Sequence, residues 1–249
     1  MKTWIPDMLY RAACDELMDA PDCDETRLLR TVRQFSSINR LVSRYRTILK
    51  REVLADMMKE PGREYHLVDM GAGGCDIDAW LLQSAQRLGL KLRISACDLD
   101  PRIIRYARTT YGDTPGLDIR RLDLLQYPPE EPVDYVFANH FLHHLTDQQI
   151  KHLLGVWAPR TRRRMVLSDL RRSSAAYLGY AALSLFYPAS FARTDGLISI
   201  RRGFLPGELQ ALADTALPEN RHTVLQYSPG RLVLRIECSA LPNDERTVN

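Results

Sequence analysis

From residue 26 to about residue 60, apolar side chains recur at steps of three and four, which is the spacing of one face of an amphipathic helix. Arginines fill much of the opposite face, and a proline-glycine pair at 61–62 ends the pattern. The apolar positions are Leu28, Val32, Phe35, Ile38, Val42, Tyr45, Leu49 and Val53. We therefore expect one helix or a helix pair from residue 26 to about residue 60, within a helical cap formed by residues 1–61. The alternative is a lid over a ligand pocket, with Asn39, Arg40 or Tyr45 reaching inward.

The remaining chain alternates short apolar runs with helical periodicity. The predicted strands are 67–70, 92–97, 117–122, 133–138 and 165–170, and the predicted helices are 76–88, 101–111, 147–157 and 206–216. Strands that alternate with helices of this length imply a parallel, doubly wound sheet. Two further strands, 223–227 and 232–238, are joined by so short a link that they must be antiparallel. The pattern predicts an α/β, Rossmann-like domain over residues 62–249, with a seven-stranded sheet ending in a hairpin.

A glycine-rich turn follows the first predicted strand. Residues 65–76 read Tyr-His-Leu-Val-Asp-Met-Gly-Ala-Gly-Gly-Cys-Asp, which is a strand, a turn and a helix start. Glycines let the backbone approach a ligand closely, and the helix start offers unpaired N–H groups to a negative group. A dinucleotide site needs glycine at the position of Asp76, where a carboxylate would repel a pyrophosphate. Asp69, just before the first glycine, favours a ligand with a cationic amino end.

Four ordered motifs resemble those of class I S-adenosylmethionine-dependent methyltransferases. Residues 67–74 (Leu-Val-Asp-Met-Gly-Ala-Gly-Gly) look like the glycine motif of that family, and residues 96–101 (Ala-Cys-Asp-Leu-Asp-Pro) look like the acidic end of its second strand. Residues 122–124 (Leu-Asp-Leu) fit its adenine-side motif, and residues 134–145 are similar to the strand-four motif of many small-molecule members. The terminal hairpin also matches that fold, so the resemblance covers about residues 62–238.

The resemblance implies S-adenosylmethionine as the cofactor. The implied cofactor-binding residues are Asp69, Gly71, Ala72, Gly73, Asp98, Leu99, Asp123, Leu124 and Asn139. Asp98 would accept both ribose hydroxyls, and charge-assisted bonds suit that role because they are roughly twice as strong as neutral ones. Asp123 would accept the adenine amino group, with Leu99 and Leu124 on either side of the ring. A strand-end acid can also cap the next helix, a role that fits Asp100 better.

In the same resemblance, the backbone of the glycine turn and Asp69 would hold the methionine portion, and Asn139 would lie beside the sulfonium. One position departs from the family pattern, because Cys75 stands where a third glycine is usual. Cysteine has a Cβ atom, so we expect an ordinary negative φ there. We interpret its thiol as a small packing group and not as a nucleophile. Asp134, which opens strand four, is expected to be structural.

Histidines just beyond strand four are the candidate catalytic residues. His140, His143 and His144 would lie at the ligand-binding edge of the sheet, and histidine titrates near neutrality, so one of them could deprotonate a phenol or an enol. His143 ranks first because one helical turn separates it from Asn139. The alternative is that adjacent histidines at a helix start only cap or pack. His152 is expected to be structural.

Residues 171–204 form an apolar and aromatic insertion after strand five. In methyltransferases of this type that segment commonly forms part of the acceptor pocket, so Tyr177 and Tyr180 are candidate substrate-binding residues. Arg201 and Arg202 could clamp an acceptor carboxylate or pair with Asp195. The alternative, left open, is a helix docked on the N-terminal cap that buries the same side chains.

Composition excludes several classes of function. A net charge of +3 is too small to indicate a nucleic-acid binder, and no Asn-Pro-Pro-type target-base motif follows strand four. The five cysteines are scattered without a Cys-x-x-Cys pair, which argues against a disulfide framework or a zinc site and favours a cytoplasmic protein without a metal. The first ten residues lack the apolar core of a signal peptide, and the longest apolar run is too short to span a membrane.

The sequence therefore predicts a methyltransferase of a small hydrophobic or aromatic metabolite, which transfers methyl to oxygen of a phenolic or polyketide-like acceptor. The alternatives are a non-catalytic protein that binds the cofactor or a partner, and a C- or N-methyltransferase of a small molecule. A nucleic-acid methyltransferase and a dehydrogenase rank lower. The sequence leaves open whether the protein is a homodimer.

Overall fold

The computed structural model describes residues 6–218 and 221–238. The strands are β1 (Glu64–Met70), β2 (Lys91–Asp98), β3 (Leu117–Arg121), β4 (Val133–Asn139), β5 (Thr161–Leu170), β6 (Arg221–Tyr227) and β7 (Arg231–Glu237). They form one sheet in the order β3-β2-β1-β4-β5-β7-β6. Strands β1 to β5 are parallel to their neighbours within that group, and β7 is antiparallel to both β5 and β6. The predicted seven-stranded α/β sheet with a terminal hairpin is confirmed.

The helices pack on both faces of this sheet. They are α1 (Glu25–Val42), α2 (Tyr45–Leu49), α3 (Ala55–Met57), α4 (Asp76–Arg87), α5 (Pro101–Tyr111), α6 (Asp147–Trp157), α7 (Ser174–Leu183), α8 (Ala192–Arg202) and α9 (Pro206–Ala216). The bounds predicted for α5, α6 and α9 agree with the structure because local signals set their ends. Asp100 caps α5 by accepting the N–H of Arg102, as predicted, and Thr146 with Gln149 forms a capping box on α6.

Strand β5 begins four residues earlier than predicted, at Thr161. Residues 162–164, at the start of β5, are arginines, which do not show the apolar pattern of a strand. Two of them are accommodated there because acidic residues from distant parts of the chain pair with them. Arg163 pairs with Asp56 at 2.8 Å, and Arg164 pairs with Glu237 at 2.9 Å. Ion pairs of this kind let arginines occupy a half-buried strand that local periodicity does not show.

The N-terminal segment is a series of helices that breaks at Arg44, which adopts a left-handed φ of 59°. Helix α1 precedes the break and packs on α5 and α8, and the contacts join Leu28 and Val32 to Ile103 and Phe191. After the break, α2 leads through a π-helical turn, Lys50–Leu54, into α3.

The part after the break belongs to the main core. Ile48, Leu49 and Met57 are fully buried in the same cluster as Tyr65 and Tyr135, which come from the sheet. A division between cap and domain at residue 61 stays a prediction, as does the extent of the second domain, whose residues 239–249 lie outside the described part of the chain. Among the described residues, no helix is both long and apolar enough to cross a membrane.

Candidate functional site

A cavity of about 1040 Å³ lies at the carboxyl ends of β1, β2 and β4. In doubly wound sheets this edge is the usual place for a ligand. Every residue predicted to bind the cofactor lines it, as do His140, His143 and His144. Helices α1 and α7 and the segment 16–21 also line it. The structure therefore brings the predicted donor residues and the three histidines to one cavity.

The glycine turn has the left-handed backbone that its residue types suggest. Gly71 and Gly73 have φ of 69° and 55°. A Cβ at Gly71 would lie 2.7 Å from Cδ2 of Phe141, so a side chain is excluded there on both grounds. The expectation for Cys75 was wrong, since it also has a positive φ, of 61°. Its side chain is 1% exposed in the core under α4, and this packing holds a conformation that cysteine rarely adopts by itself.

Asp98 ties the glycine turn to the next strand. Its carboxylate accepts the N–H of Gly73 at 3.0 Å and the N–H of Asp100 at 3.0 Å. Burial raises the pKa of Asp98, although these backbone donors favour its charged form. The carboxylate that would bind a ribose is therefore oriented by the loop that would bind the rest of the cofactor.

Asp69 has an acidic neighbour that sequence reasoning missed. Burial, together with Asp78 on α4, raises the pKa of Asp69 well above its usual value. Burial likewise raises the pKa of Asp78, to about 7. Two buried carboxyl groups in contact favour one shared proton. Oδ1 of Asp69 has no hydrogen-bond partner within the described residues, so it can accept a bond from a cationic ligand group. The sequence did contain a signal for Asp78, since it is an acidic residue in the first turn of α4, next to the glycine turn.

The predicted adenine side combines an exposed and a buried leucine. Leu99 is 56% exposed and borders the cavity, whereas Leu124 is buried and its carbonyl accepts the indole N–H of Trp157. The carboxylate of Asp123 accepts the N–H of Leu125 at 3.0 Å and the side-chain amide of Gln126 at 2.8 Å. These bonds hold Asp123 at the rim of the cavity.

A buried arginine, which sequence reasoning did not identify, lies beneath the end of β4. Arg231 is 2% exposed and donates to Asn139, to the ring of His140 at 2.7 Å and to Ser168 at 3.0 Å. Burial lowers the pKa of Arg231 to about 10. Burial and the nearby Arg231 lower the pKa of His140 well below its usual value, so this ring is neutral near pH 7. The arginine fixes both Asn139 and His140, and no local pattern marks it because it comes from β7.

His143 is held between two carboxylates. Its Nδ1 lies 2.7 Å from Oδ1 of Asp169, and its Nε2 lies 3.3 Å from Oε1 of Glu16. Burial by itself would lower the pKa of His143, but Asp169 and Glu16 outweigh it and raise the value to about 9. The predicted helical turn after Asn139 was wrong, because residues 140–144 form a left-handed residue followed by a 3-10 turn. Glu16 was missed because it lies far away in the chain.

His144 stacks against His143 and shares its acidic partner. The two ring centroids are 4.3 Å apart. Nε2 of His144 lies 3.9 Å from Oε1 of Glu16, and Nδ1 lies 3.2 Å from Oδ2 of Asp19. Two histidines that the sequence treated as alternatives are therefore parts of one cluster, built jointly by the N-terminal segment and the 3-10 turn.

The insertion 171–204 both lines the cavity and packs on the N-terminal helices. Tyr180 lines the cavity, and its hydroxyl donates to the carbonyl of Ala192 at 2.6 Å. Tyr177 lies outside the cavity lining. Phe191, just before α8, packs on α1, while Gly196, Ser199 and Ile200 of α8 line the cavity, so both interpretations of this segment stay open.

The arginine pair that was a candidate for binding an acceptor, Arg201 and Arg202, lies outside the cavity lining. The guanidinium of Arg202 donates to the carbonyls of His143 and His144 at 3.1 and 3.2 Å. The alternative pairing with Asp195 is not found among the described residues, where that carboxylate accepts the backbone N–H groups of residues 17 and 18. Arg202 therefore holds the histidine turn, and a role of the two arginines in binding an acceptor stays a prediction.

The other structural expectations agree with the structure. Asp134 is buried, pairs with Arg63 and accepts the N–H of His66. His152 lies near the carbonyl of Leu125 at 3.3 Å. Of the residues suggested to reach inward from the cap, Asn39 lines the cavity, Arg40 is exposed, and Tyr45 is buried against Trp80.

We expect the thiol of Cys75 to resist alkylation in the folded protein. Burial, with Asp78 and Asp69 nearby, raises its pKa, so the reactive thiolate is scarce. Cys14 is exposed and serves as the internal control. Brief iodoacetamide treatment followed by mass spectrometry should label Cys14 at least about 100-fold faster than Cys75, because only an accessible thiolate reacts. Comparable labelling of the two thiols would contradict a packing role for Cys75.

Residues 68–162 match the model of a family described as a methyltransferase domain. A curated protein of Anoxybacillus flavithermus (strain DSM 21510 / WK1), an uncharacterized methyltransferase, is 26% identical over 105 residues. That similarity covers 36% of this chain and 50% of the other protein, so the chain spans about half the length of this relative.

Solved methyltransferase structures share the fold. The plantazolicin methyltransferase BpumL, in complex with a triazolic desmethylPZN analog and SAH, has a TM-score of 0.62 and 12% identity, covering 84% of this chain and 90% of that one. Human N-acetylserotonin methyltransferase in complex with SAM has a TM-score of 0.60 and 13% identity, covering 87% of this chain and 57% of that one. At such identities the likeness establishes the fold alone.

Proposed function

We propose that the cavity of this chain binds S-adenosylmethionine and transfers its methyl group to a small molecule. Residues 68–162 match a methyltransferase-domain model, and the fold is that of solved S-adenosylmethionine-dependent methyltransferases. The observation that carries the proposal is the bond from the Gly73 N–H to Asp98, which joins a glycine turn and a ribose-type carboxylate at one edge of the sheet. Cavities that hold small ligands measure about 300–1,000 Å³, so 1040 Å³ accommodates a cofactor with an acceptor beside it.

On the donor side, each polar group has a matching part of the cofactor. Asp98 would bind the ribose hydroxyls and Asp123 the adenine amino group. The turn at 71–73 would hold the methionine portion, and the unpartnered Oδ1 of Asp69 suits its ammonium group. Asn139, fixed by Arg231, would face the sulfonium.

On the acceptor side, we propose a hydrophobic or aromatic metabolite that is methylated on a phenol or enol oxygen. Methyl transfer from a sulfonium is an in-line displacement, so the protein mainly aligns the reactants and handles the proton of the acceptor. Tyr180 and α7 supply apolar surface. His143 is the first candidate base, and His140 and His144 are the others. Because Asp169 and Glu16 raise the pKa of His143 to about 9, His143 can take the proton of the acceptor only from its neutral form, whose share grows as the pH rises toward 9.

Two neighbours with the same fold are named for unlike acceptors, plantazolicin and N-acetylserotonin, so the fold does not select the acceptor. C- or N-methylation of a small molecule therefore stays the alternative, and product analysis distinguishes the methylated atom. A cytoplasmic location, a homodimer and the absence of a nucleic-acid partner also stay predictions.

Calorimetric titration and a transfer assay test the proposal together. Wild-type protein should bind S-adenosylmethionine and its demethylated product, and a methyl-labelled cofactor should label at least one member of a panel of phenols, enols, amines and carbon nucleophiles. Cofactor binding without transfer to any acceptor would favour a non-catalytic binding protein. Absence of cofactor binding would refute the proposal itself.

A further inference from the structure

Three metal-ligating side chains meet at the cavity. One ligand atom each from Glu16, His143 and His144 lies within 4.8 Å of the other two. Two imidazoles and one carboxylate are a donor set that catalytic zinc sites use. We propose that these three residues form a binding site for a divalent transition-metal ion, with zinc as the expected occupant. The scattered cysteines had suggested a protein without a metal, but the donor set proposed here does not use cysteine.

The spacing of the ligand atoms fits a tetrahedral ion. With bonds of about 2.0–2.1 Å, tetrahedral ligands are about 3.3–3.4 Å apart. Oε1 of Glu16 lies 3.3 Å from Nε2 of His143 and 3.9 Å from Nε2 of His144. The His143–Glu16 spacing therefore already fits, whereas the His144 side chain has to approach Glu16 by about 0.5 Å to share an ion with it.

Each ligand has a partner that orients it, which is the usual arrangement around bound metals. Asp169 holds Nδ1 of His143 at 2.7 Å, and Asp19 lies 3.2 Å from Nδ1 of His144. The hydroxyl of Ser199 donates to Oε1 of Glu16 at 2.7 Å. In this arrangement each imidazole keeps its proton on Nδ1, so that Nε2 can present a lone pair to the ion.

Nε2 of His143 is buried and makes no well-aligned hydrogen bond. His143 is 2% exposed, and Nε2 has only the ion-pair contact with Oε1 of Glu16 at 3.3 Å, without hydrogen-bond geometry within the described residues. Buried polar atoms are rarely left without a partner. A cation between Nε2 and Glu16 would satisfy both atoms and would neutralise a carboxylate that is itself buried.

Three protein ligands leave a fourth position open toward the cavity, as in catalytic zinc sites. This part of the inference rests on the proposed function. An acceptor hydroxyl bound there would lose its proton to water more readily, because the ion lowers the pKa of a bound oxygen. The oxygen lone pair would then form the new O–C bond while the C–S bond breaks, and that electron pair would stay on sulfur. In this case His143 would be a metal ligand and not a base, and the ion would activate the acceptor hydroxyl.

Metal titration of the full chain tests the site without an activity assay. Protein stripped with a chelator should bind one Zn²⁺ per chain in calorimetry, and Co²⁺ should give the visible absorption of a tetrahedral site. Glu16→Gln, which preserves shape and the Ser199 bond, and His144→Ala should each weaken binding by about 100-fold or more, since even outer partners of metal ligands contribute 10–100-fold. His152→Ala is the matched control and should leave the affinity unchanged.

Two results would overturn the inference: no stoichiometric ion in the wild type, or equal affinity in the wild type and in folded Glu16→Gln and His144→Ala variants. Circular dichroism and thermal melting establish that the variants fold. Cofactor titration, measured separately, distinguishes failures. Metal binding without cofactor binding would refute the proposed function and not the metal site, and the reverse result would refute the metal site alone.

Discussion

Replacing Asp98 with alanine should weaken S-adenosylmethionine binding by about 100-fold or more. The carboxylate would accept hydrogen bonds from two ribose hydroxyls, and each such charge-assisted bond is worth about 1.5–3 kcal/mol. A tenfold change in affinity corresponds to about 1.4 kcal/mol. The substitution also removes the acceptor that holds the N–H groups of Gly73 and Asp100, so the turn itself would be less ordered. Isothermal titration of the purified variant measures the effect.

Two further variants make this result specific to the site. Asp98→Asn keeps the shape of the side chain and should give an intermediate loss, because an amide oxygen accepts hydrogen bonds without a full charge. Asp118→Ala removes an exposed acid from the adjacent strand β3 and should bind the cofactor like the wild type. An unchanged affinity in folded Asp98→Ala would refute the assignment of the donor pocket.

Replacing His143 with alanine should lower kcat by about 100- to 10,000-fold, the range expected when a positioned acid–base group is lost. The affinity for S-adenosylmethionine should stay within about two-fold, because the ring of His143 pairs with Glu16 and Asp169 and not with a residue assigned to the cofactor. Steady-state kinetics with an acceptor found in the panel, together with cofactor titration, measures both quantities. The same loss of kcat is expected whether His143 acts as a base or as a metal ligand. The metal titration distinguishes these two roles.

Stability has to be followed in the same experiment. Breaking one partner of a buried ion pair costs about 3–5 kcal/mol, and alanine would leave Asp169 buried without its imidazole. His143→Gln can still donate to Asp169 and should fold better while remaining inactive. His152→Ala changes a histidine outside the cluster and should retain the wild-type rate. Full activity in a folded His143 variant would exclude this residue from the chemistry.

The donor half of the site could be predicted because it is local in the chain. The strand, the glycine turn and α4 are consecutive, so residue types at 69, 71 and 73 reveal their shared edge. Asp98 ends the next strand, and parallel strands bring their carboxyl ends to the same edge of a sheet. The conformation of Cys75 was misjudged for the opposite reason, since its positive φ is imposed by burial and not by its residue type.

The acceptor half depends on contacts between distant segments. Glu16 reaches His143 from the N-terminal segment, Asp169 reaches it from the end of β5, and Arg231 reaches Asn139 from β7. No periodicity or spacing relates these positions, because each pairing follows from how helices and strands pack. Arg202 shows the converse case, in which a residue typical of ligand binding is used to hold a turn.

By itself, the sequence determined the α/β sheet, its terminal hairpin, the helices α4, α5, α6 and α9, and the edge of the sheet at which the proposed cofactor residues lie, since periodicity, caps and consecutive motifs express these within short stretches. Only the tertiary structure decided that the N-terminal segment completes the cavity, that His143 lies between two carboxylates, and that Glu16, His143 and His144 share one place. The physical reason is burial. The charges and lone pairs of these groups acquire their properties from partners that folding brings together and from the water that folding excludes.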